Sequence, residues 1–279
     1  PPARPGFGCG YRMNIMDDML EAAIAAAEVI SEYYETGTEA QRKFDDSPVT
    51  EADTRAEVRI LDRLAPLGLP VLAEESVAAG RIPSLGDEFF VVDPLDGTRE
   101  FLKRNGEFTV NIALCRKGHP RLGVVLAPAT GMTYWTGPDG ALGGTLENGV
   151  IHGHHRLEAT ATGPLRIVAS RSHRHPAIET LCQRLGVIDD VSVGSSLKFG
   201  LLASGAAELY PRIGPTCEWD TAAGQAVLEA AGGVVLGLDG EPLTCGHPER
   251  RFLNGPFVAA ASRQLAEKAL TELRKLNPA

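Results

Sequence analysis

At 279 residues, 43% hydrophobic and 23% charged, the chain can bury a large core as one α/β unit or as two smaller ones sharing an interface. Its formal net charge of −9 excludes broad contact with nucleic-acid polymers, whose protein partners are basic, but not a small anion met by a few Lys or Arg. Five scattered cysteines (Cys9, Cys115, Cys182, Cys217 and Cys245) form no Cys-x-x-Cys pair and read as reduced thiols of a cytoplasmic protein, and no stretch approaches the ~20 apolar residues of a membrane span.

Residues 1–15 contain Pro and Gly but no apolar signal core, and read as a disordered or leader segment. From Met16 to Tyr34 apolar residues recur at three and four, which predicts an amphipathic helix. A second helix is expected from Thr50, where Asp53 three residues on completes a capping-box pattern, to a stop at Gly68. Strands follow at Val71–Ala73, Phe89–Val92, Phe108–Leu114, Leu122–Leu126 and Met132–Trp135. Residues 137–164, rich in Gly, read as a loop-and-hairpin passage between two halves, and the histidines at 152, 154, 155, 173 and 175 read as loop residues.

The second half alternates. Strands are expected at Leu165–Ser170, Val191–Val193, Glu208–Pro211, Val234–Leu238 and Phe257–Ala260, with helices at Pro176–Leu185, Ser196–Ala203, Thr221–Ala231 and Arg263–Leu276. Such alternation favours sheets covered by helices.

Acids stand where strands end. Asp93-Pro94-Leu95-Asp96-Gly97-Thr98 follows the apolar run 89–92, and Glu74-Glu75 follows Val71–Ala73, so neighbouring strands would deliver Glu74 and Asp93 to one sheet edge. Closely set carboxylates suit a hard divalent cation, although Asp-Pro and Asp-Gly are also ordinary turn dipeptides. Asp220, in Trp219-Asp220, opens an apolar helix and has capping as its plain alternative.

In combination, Asp53, Glu74-Glu75, Asp93 to Thr98 and Trp219-Asp220 resemble the ordered pattern of the lithium-sensitive, magnesium-dependent phosphatase superfamily that includes inositol monophosphatases and fructose 1,6-bisphosphatases. Within it, the run from Asp93 to Asn111, the segment Gly194-Ser195-Ser196-Leu197-Lys198-Phe199 and the stretch Leu209 to Gly224 are most similar to CysQ-type 3'(2'),5'-bisphosphate nucleotidases. The resemblance spans roughly residues 16 to 275.

That resemblance implies an α+β, layered α-β-α-β-α sandwich of the sugar-phosphatase type, with one catalytic domain over 16–276 in halves near 16–145 and 160–276. It further implies two Mg²⁺ ions, or three: one held by Glu74, Asp93 and the Leu95 carbonyl, a second by Asp93, Asp96 and Asp220. Glu74 and Thr98 would orient a water, with Asp53 behind Thr98 or capping its helix, and Glu75 would stand behind the ligands. The expected chemistry is attack by water without a phosphoenzyme. The aspartyl-nucleophile alternative needs Asp-x-Asp, whereas these aspartates are three apart.

Substrate contacts are expected from Glu74, Leu95, Asp96, Gly97, Thr98, Ser195, Lys198, Arg212 and Asp220. Inositol monophosphatases place a Glu shortly before Trp-Asp, where this chain has Arg212 when Gly214 is aligned. A guanidinium there suits a second phosphate. The resemblance therefore implies hydrolysis of the 3'-phosphate of adenosine 3',5'-bisphosphate, clearing a by-product of sulfate activation. An inositol or sugar phosphate monophosphatase and a non-catalytic nucleotide-binding regulator are the alternatives. It leaves open the oligomeric state and peripheral docking on the cytoplasmic side of the inner membrane.

Overall fold

The structure is a computed structural model that describes residues 9–38, 40–42, 48–169 and 176–276. The first half begins with α1 (Cys9–Thr36), which reaches back beyond the Met16 start given by the periodicity, with Ile15 already buried. A small hairpin, β1 (Ala40–Arg42) and β2 (Pro48–Thr50), leads into α2 (Glu51–Leu64). The helix ends in a 3-10 turn at Ala65–Leu67, closed by Gly68 in left-handed backbone.

There follow β3 (Val71–Ala73), α3 (Glu74–Ala78), β4 (Glu88–Asp96) and α4 (Thr98–Leu102). The strands β5 (Thr109–Arg116), β6 (His119–Leu126), β7 (Met132–Gly137), β8 (Gly140–Glu147) and β9 (Val150–Arg156) complete a seven-stranded sheet in order β3-β4-β5-β6-β7-β8-β9. The stretch expected as a loop-and-hairpin passage is thus two full strands of this sheet. Its glycines, with little side chain to alternate, hid the period of two.

The second half contains β10 (Arg166–Ala169), α5 (Pro176–Leu185), β11 (Asp189–Ser192), α6 (Leu197–Ala203), β12 (Leu209–Arg212), β13 (Thr216–Cys217) and α7 (Glu218–Ala230). After them come β14 (Val234–Gly237), β15 (Leu253–Asn254), β16 (Phe257–Ala260) and α8 (Arg263–Leu276). Five of these strands form a second sheet in order β11-β10-β12-β16-β14.

Alternation along the strands sorts the core into layers. On β4, Phe90 and Val92 join α1 and α2 through Met19, Ala23, Ala56 and Ile60. Phe89 and Val91, one residue out of phase, face a middle layer of α6 and α7. That layer also meets Val168, Tyr210, Val235 and Phe257 of the second sheet. The opposite face of the second sheet, with Leu209, Leu236 and Val258, packs on Leu181 of α5 and Leu270 of α8. The result is an α-β-α-β-α sandwich. Strands covered on both faces read as unbroken apolar runs, as 89–92 does.

The central helix approaches the first sheet at Gly123, where an added Cβ would lie 2.3 Å from the Ala223 carbonyl oxygen and 3.0 Å from Ala226 Cβ. Neither neighbour is a flexible chain end. Gly123→Ala is expected to cost about 1–3 kcal/mol of folding stability through overpacking, read as a lower urea midpoint with an unchanged slope.

Candidate active site

Strands β3 and β4 are parallel neighbours, with Ala73 opposite Val92, so the residues that follow, Glu74 and Asp93, leave the same edge. The pairing of β4 with β5 then slips between Asp93 and Asp96. Gly97 follows with φ 93°, a backbone that L side chains resist. A Cβ there would also stand 3.0 Å from the Glu107 carbonyl oxygen and 3.3 Å from Phe108 Cα. The slip and the turn carry Asp93 and Asp96 to the N-terminus of α7. Carboxylate oxygens of Asp93, Asp96 and Asp220 lie within 4.8 Å of one another.

Three such groups repel one another. Burial holds the Asp220 carboxyl well above the ordinary carboxylate range, and the charges of Asp96 and Glu74 push the same way. Burial also raises Asp96, opposed by the Lys198 charge and a hydrogen bond from Ser196. Glu74 therefore acts on both aspartates from close by. Clustered hard oxygen donors with excess negative charge fit a hard divalent cation, whose charge would relieve the repulsion.

Asp53 takes both of its expected parts. Its Oδ2 accepts from Thr50 N and Thr50 Oγ1 at 2.7 Å each, which caps α2, while its Oδ1 accepts from Thr98 Oγ1 at 3.0 Å. Asp220 is similarly divided: at the third position of α7, its Oδ2 accepts from Cys217 N at 2.8 Å while the residue also belongs to the acidic cluster. Leu95 N donates to Asp93 Oδ1 at 3.0 Å, and the Leu95 carbonyl lies 3.3 Å from the Thr98 hydroxyl.

Beside the acids opens a pocket of about 740 Å³, continuous with solvent, whose lining includes Asp96, Gly97, Ser195, Lys198, Arg212 and Asp220. Lys198 is buried beneath it. Burial lowers its ammonium to about 8, although Asp96 pulls it upward, and Nζ donates to the Ser195 carbonyl at 2.7 Å. Ser195 itself has φ 50°, unusual for a residue with a side chain. Arg212 donates through Nε and Nη2 to the carbonyls of Gly214 and Pro215 at 3.2 and 3.3 Å, which aims the fork along the pocket wall.

Several supporting residues escaped sequence reasoning. Glu57 is buried and accepts from Glu75 N at 2.7 Å and Ser76 Oγ at 2.6 Å, anchoring the turn that carries Glu74. Its spacing of four from Asp53, on the same face of α2, was the available signal. Glu218, also buried, accepts from Gly246 N at 2.6 Å and His247 N at 3.2 Å. Asn111 and Ser196 link β5 to the acids through hydrogen bonds that no local pattern announces.

Other candidates fall elsewhere. His152, His154 and His155 sit on β9, not in a loop, and the rings of His154 and His155 bond to the backbone carbonyls of Ile151 and Gly153. His173 and His175 lie outside the described residues. Arg104 stacks over the Tyr34 ring at 4.9 Å from its centroid. Cys115, Cys182, Cys217 and Cys245 are free thiols, and no helix among the described residues is long and apolar enough to cross a membrane.

Comparison with known proteins places the chain among relatives of the same fold. The chain is 43% identical over 248 residues to 3'(2'),5'-bisphosphate nucleotidase CysQ of Escherichia coli K12, covering 87% of this chain and 98% of that one. It is 36% identical to the Buchnera aphidicola protein of the same name, covering 89% and 94%. The solved structure of CysQ from Bacteroides thetaiotaomicron superposes with a TM-score of 0.74 at 37% identity, over 91% of this chain and 98% of that one. An IMPase from Thermotoga maritima shares the fold at 20% identity, with a TM-score of 0.75 over 94% and 97% of the two chains. The model of the inositol monophosphatase family matches residues 15–277, and this chain belongs to that family.

Proposed function

We propose that the chain is a metal-dependent 3'(2'),5'-bisphosphate nucleotidase that hydrolyses the 3'-phosphate of adenosine 3',5'-bisphosphate to AMP and phosphate. The observation that carries this reading is one pocket in which Asp96 and Asp220, two of the three clustered aspartates, stand beside Lys198 and Arg212. Acids that hold a cation serve the scissile phosphate, and the two side-chain cations serve a second one. Relatives known as 3'(2'),5'-bisphosphate nucleotidases support the same substrate class.

Glu74, Asp93, Asp96, Asp220 and the Leu95 carbonyl would hold two Mg²⁺ ions. Bound there, the metal supplies Lewis-acid charge to the phosphoryl oxygens. The chain does the rest. Thr98 gives its only hydroxyl proton to Asp53, so its oxygen is left to accept from the attacking water and orient it, with Glu74 accepting the water's other proton. Asp53, fixed twice by Thr50, is the positioning residue for Thr98. Lys198 and the Arg212 fork hold the second phosphate, and the buried ammonium gains from each negative charge brought beside it.

Phosphate release measured with Mg²⁺ tests this. Adenosine 3',5'-bisphosphate should exceed inositol 1-phosphate and fructose 1,6-bisphosphate in kcat/KM, and Li⁺ should inhibit. Because burial already lowers the Lys198 ammonium, and a cation on Asp96 would lower it further, KM for the bisphosphate should rise as alkaline pH removes that proton. Preference for inositol 1-phosphate would overturn the substrate assignment, and release undiminished in chelator would overturn the metal.

A further inference from the structure

Ser196 lies just before α6, and its hydroxyl sits between the two parts of the acidic cluster. Its oxygen is 3.0 Å from Asp96 Oδ2 and 2.7 Å from the Asp220 carbonyl oxygen, and it accepts from Asn111 Nδ2 at 2.9 Å. Asn111 is on β5, directly opposite Asp93 of β4. Both side chains are buried.

A hydroxyl has one proton to give. Since Asn111 donates to Ser196, that proton is left for Asp96 or for the Asp220 carbonyl, one at a time. With the amide turned the other way, its oxygen would claim the proton and Asp96 would lose it. In the observed orientation the Asn111 Oδ1 is buried with no hydrogen-bond partner among the described residues. Native proteins rarely leave a buried acceptor so, and here the amide is held by its donor end.

We propose that Asn111 and Ser196 are positioning residues of the cation site. Asn111 fixes the Ser196 hydroxyl as a donor to Asp96 Oδ2, which holds that carboxylate in one orientation and leaves its other oxygen for a divalent cation. The inference rests on reading Asp93, Asp96 and Asp220 as ligands of that cation. The carboxylate is a stronger acceptor than the Asp220 carbonyl, so the proton rests on Asp96. The cation then meets a ligand already oriented by the chain, which is how hydrogen-bond partners behind metal ligands raise affinity.

The test is calorimetric titration of MgCl₂ into the chelator-treated full chain, with melting curves in chelator as the control for folding. Ser196→Ala should bind Mg²⁺ about 10–100-fold more weakly while still melting in a single cooperative transition in chelator. Asn111→Leu, which also removes the unpartnered oxygen, should weaken binding similarly. The double variant should be no weaker than Ser196→Ala, because Asn111 acts through the hydroxyl. Ser196→Ala binding within twofold of wild type, or additive losses in the double variant, would overturn the inference. A wild-type chain that binds no Mg²⁺ would instead overturn the cation-site reading beneath it.

Discussion

Asp93→Asn is expected to cut phosphate release by about 10³-fold or more and, in the same protein freed of metal, to raise the melting temperature. The first effect follows from charge. A metal's contribution to transition-state charge is several kcal/mol, and about 4 kcal/mol at 1.36 per tenfold is about 10³. The asparagine keeps the shape and an oxygen for the Leu95 N–H, so the turn survives while the cluster loses one of its three carboxylates. Activity within tenfold of wild type would remove Asp93 from the proposed ligand set.

The second effect follows from linkage. Burial raises the carboxyls of Asp220 and Asp96, and the Asp96 charge adds to the rise at Asp220. A carboxyl raised in the folded state contributes stability that is complete below its unfolded value and is lost as pH rises through the folded one. Metal-free wild type should therefore lose melting temperature as pH rises from the ordinary Asp value of 3.8 towards neutrality. Asp93→Asn should lose less, and saturating Mg²⁺ should restore the wild type. Melting curves across pH with and without chelator read both trends. A site that weakens the fold until it is filled is a common cost of function.

Arg212→Glu is expected to reduce kcat/KM for adenosine 3',5'-bisphosphate by about 10²-fold or more and to narrow or reverse its preference over inositol 1-phosphate. A hydrogen bond to a charged group contributes about 1.5–3 kcal/mol, and 3 kcal/mol is about 10²-fold, before any repulsion from the new carboxylate. The carboxylate can instead accept from the hydroxyls of an inositol ring. Arg212→Lys is the informative companion: it preserves charge but loses the fork, so a partial loss measures geometry apart from field. Equal kcat/KM in Arg212→Glu and wild type would place the second phosphate elsewhere in the pocket.

The acids were legible because closely set carboxylates at the ends of apolar strands suit a hard cation and stand out in the sequence. Asp53 and Asp220 could be read in two ways, and in the structure each caps a helix with one oxygen, while Asp53 also accepts from Thr98 and Asp220 belongs to the acidic cluster. Helices with strong periodicity, such as Arg263–Leu276, were predicted to the residue. What stayed hidden depends on contacts far apart in the chain. Asn111 and Ser196 meet across the sandwich, and neither has a local spacing that marks it. The paired strands 140–147 and 150–156 escaped because glycine and histidine obscure alternation.

The order in which the chain is made bears on the placement of α7 between the sheets. Asp93 and Asp96 end a strand of the first half, while Asp220 arrives only with a helix much later in the chain. A nascent chain emerging from the ribosome therefore displays two of the three aspartates long before their partner exists. Contacts this distant in sequence close late, since the intervening loop entropy must first be overcome. On the proposed metal reading, cation affinity is acquired only when α7 docks, and a bound ion would stabilise the finished fold over its unfolded forms by mass action.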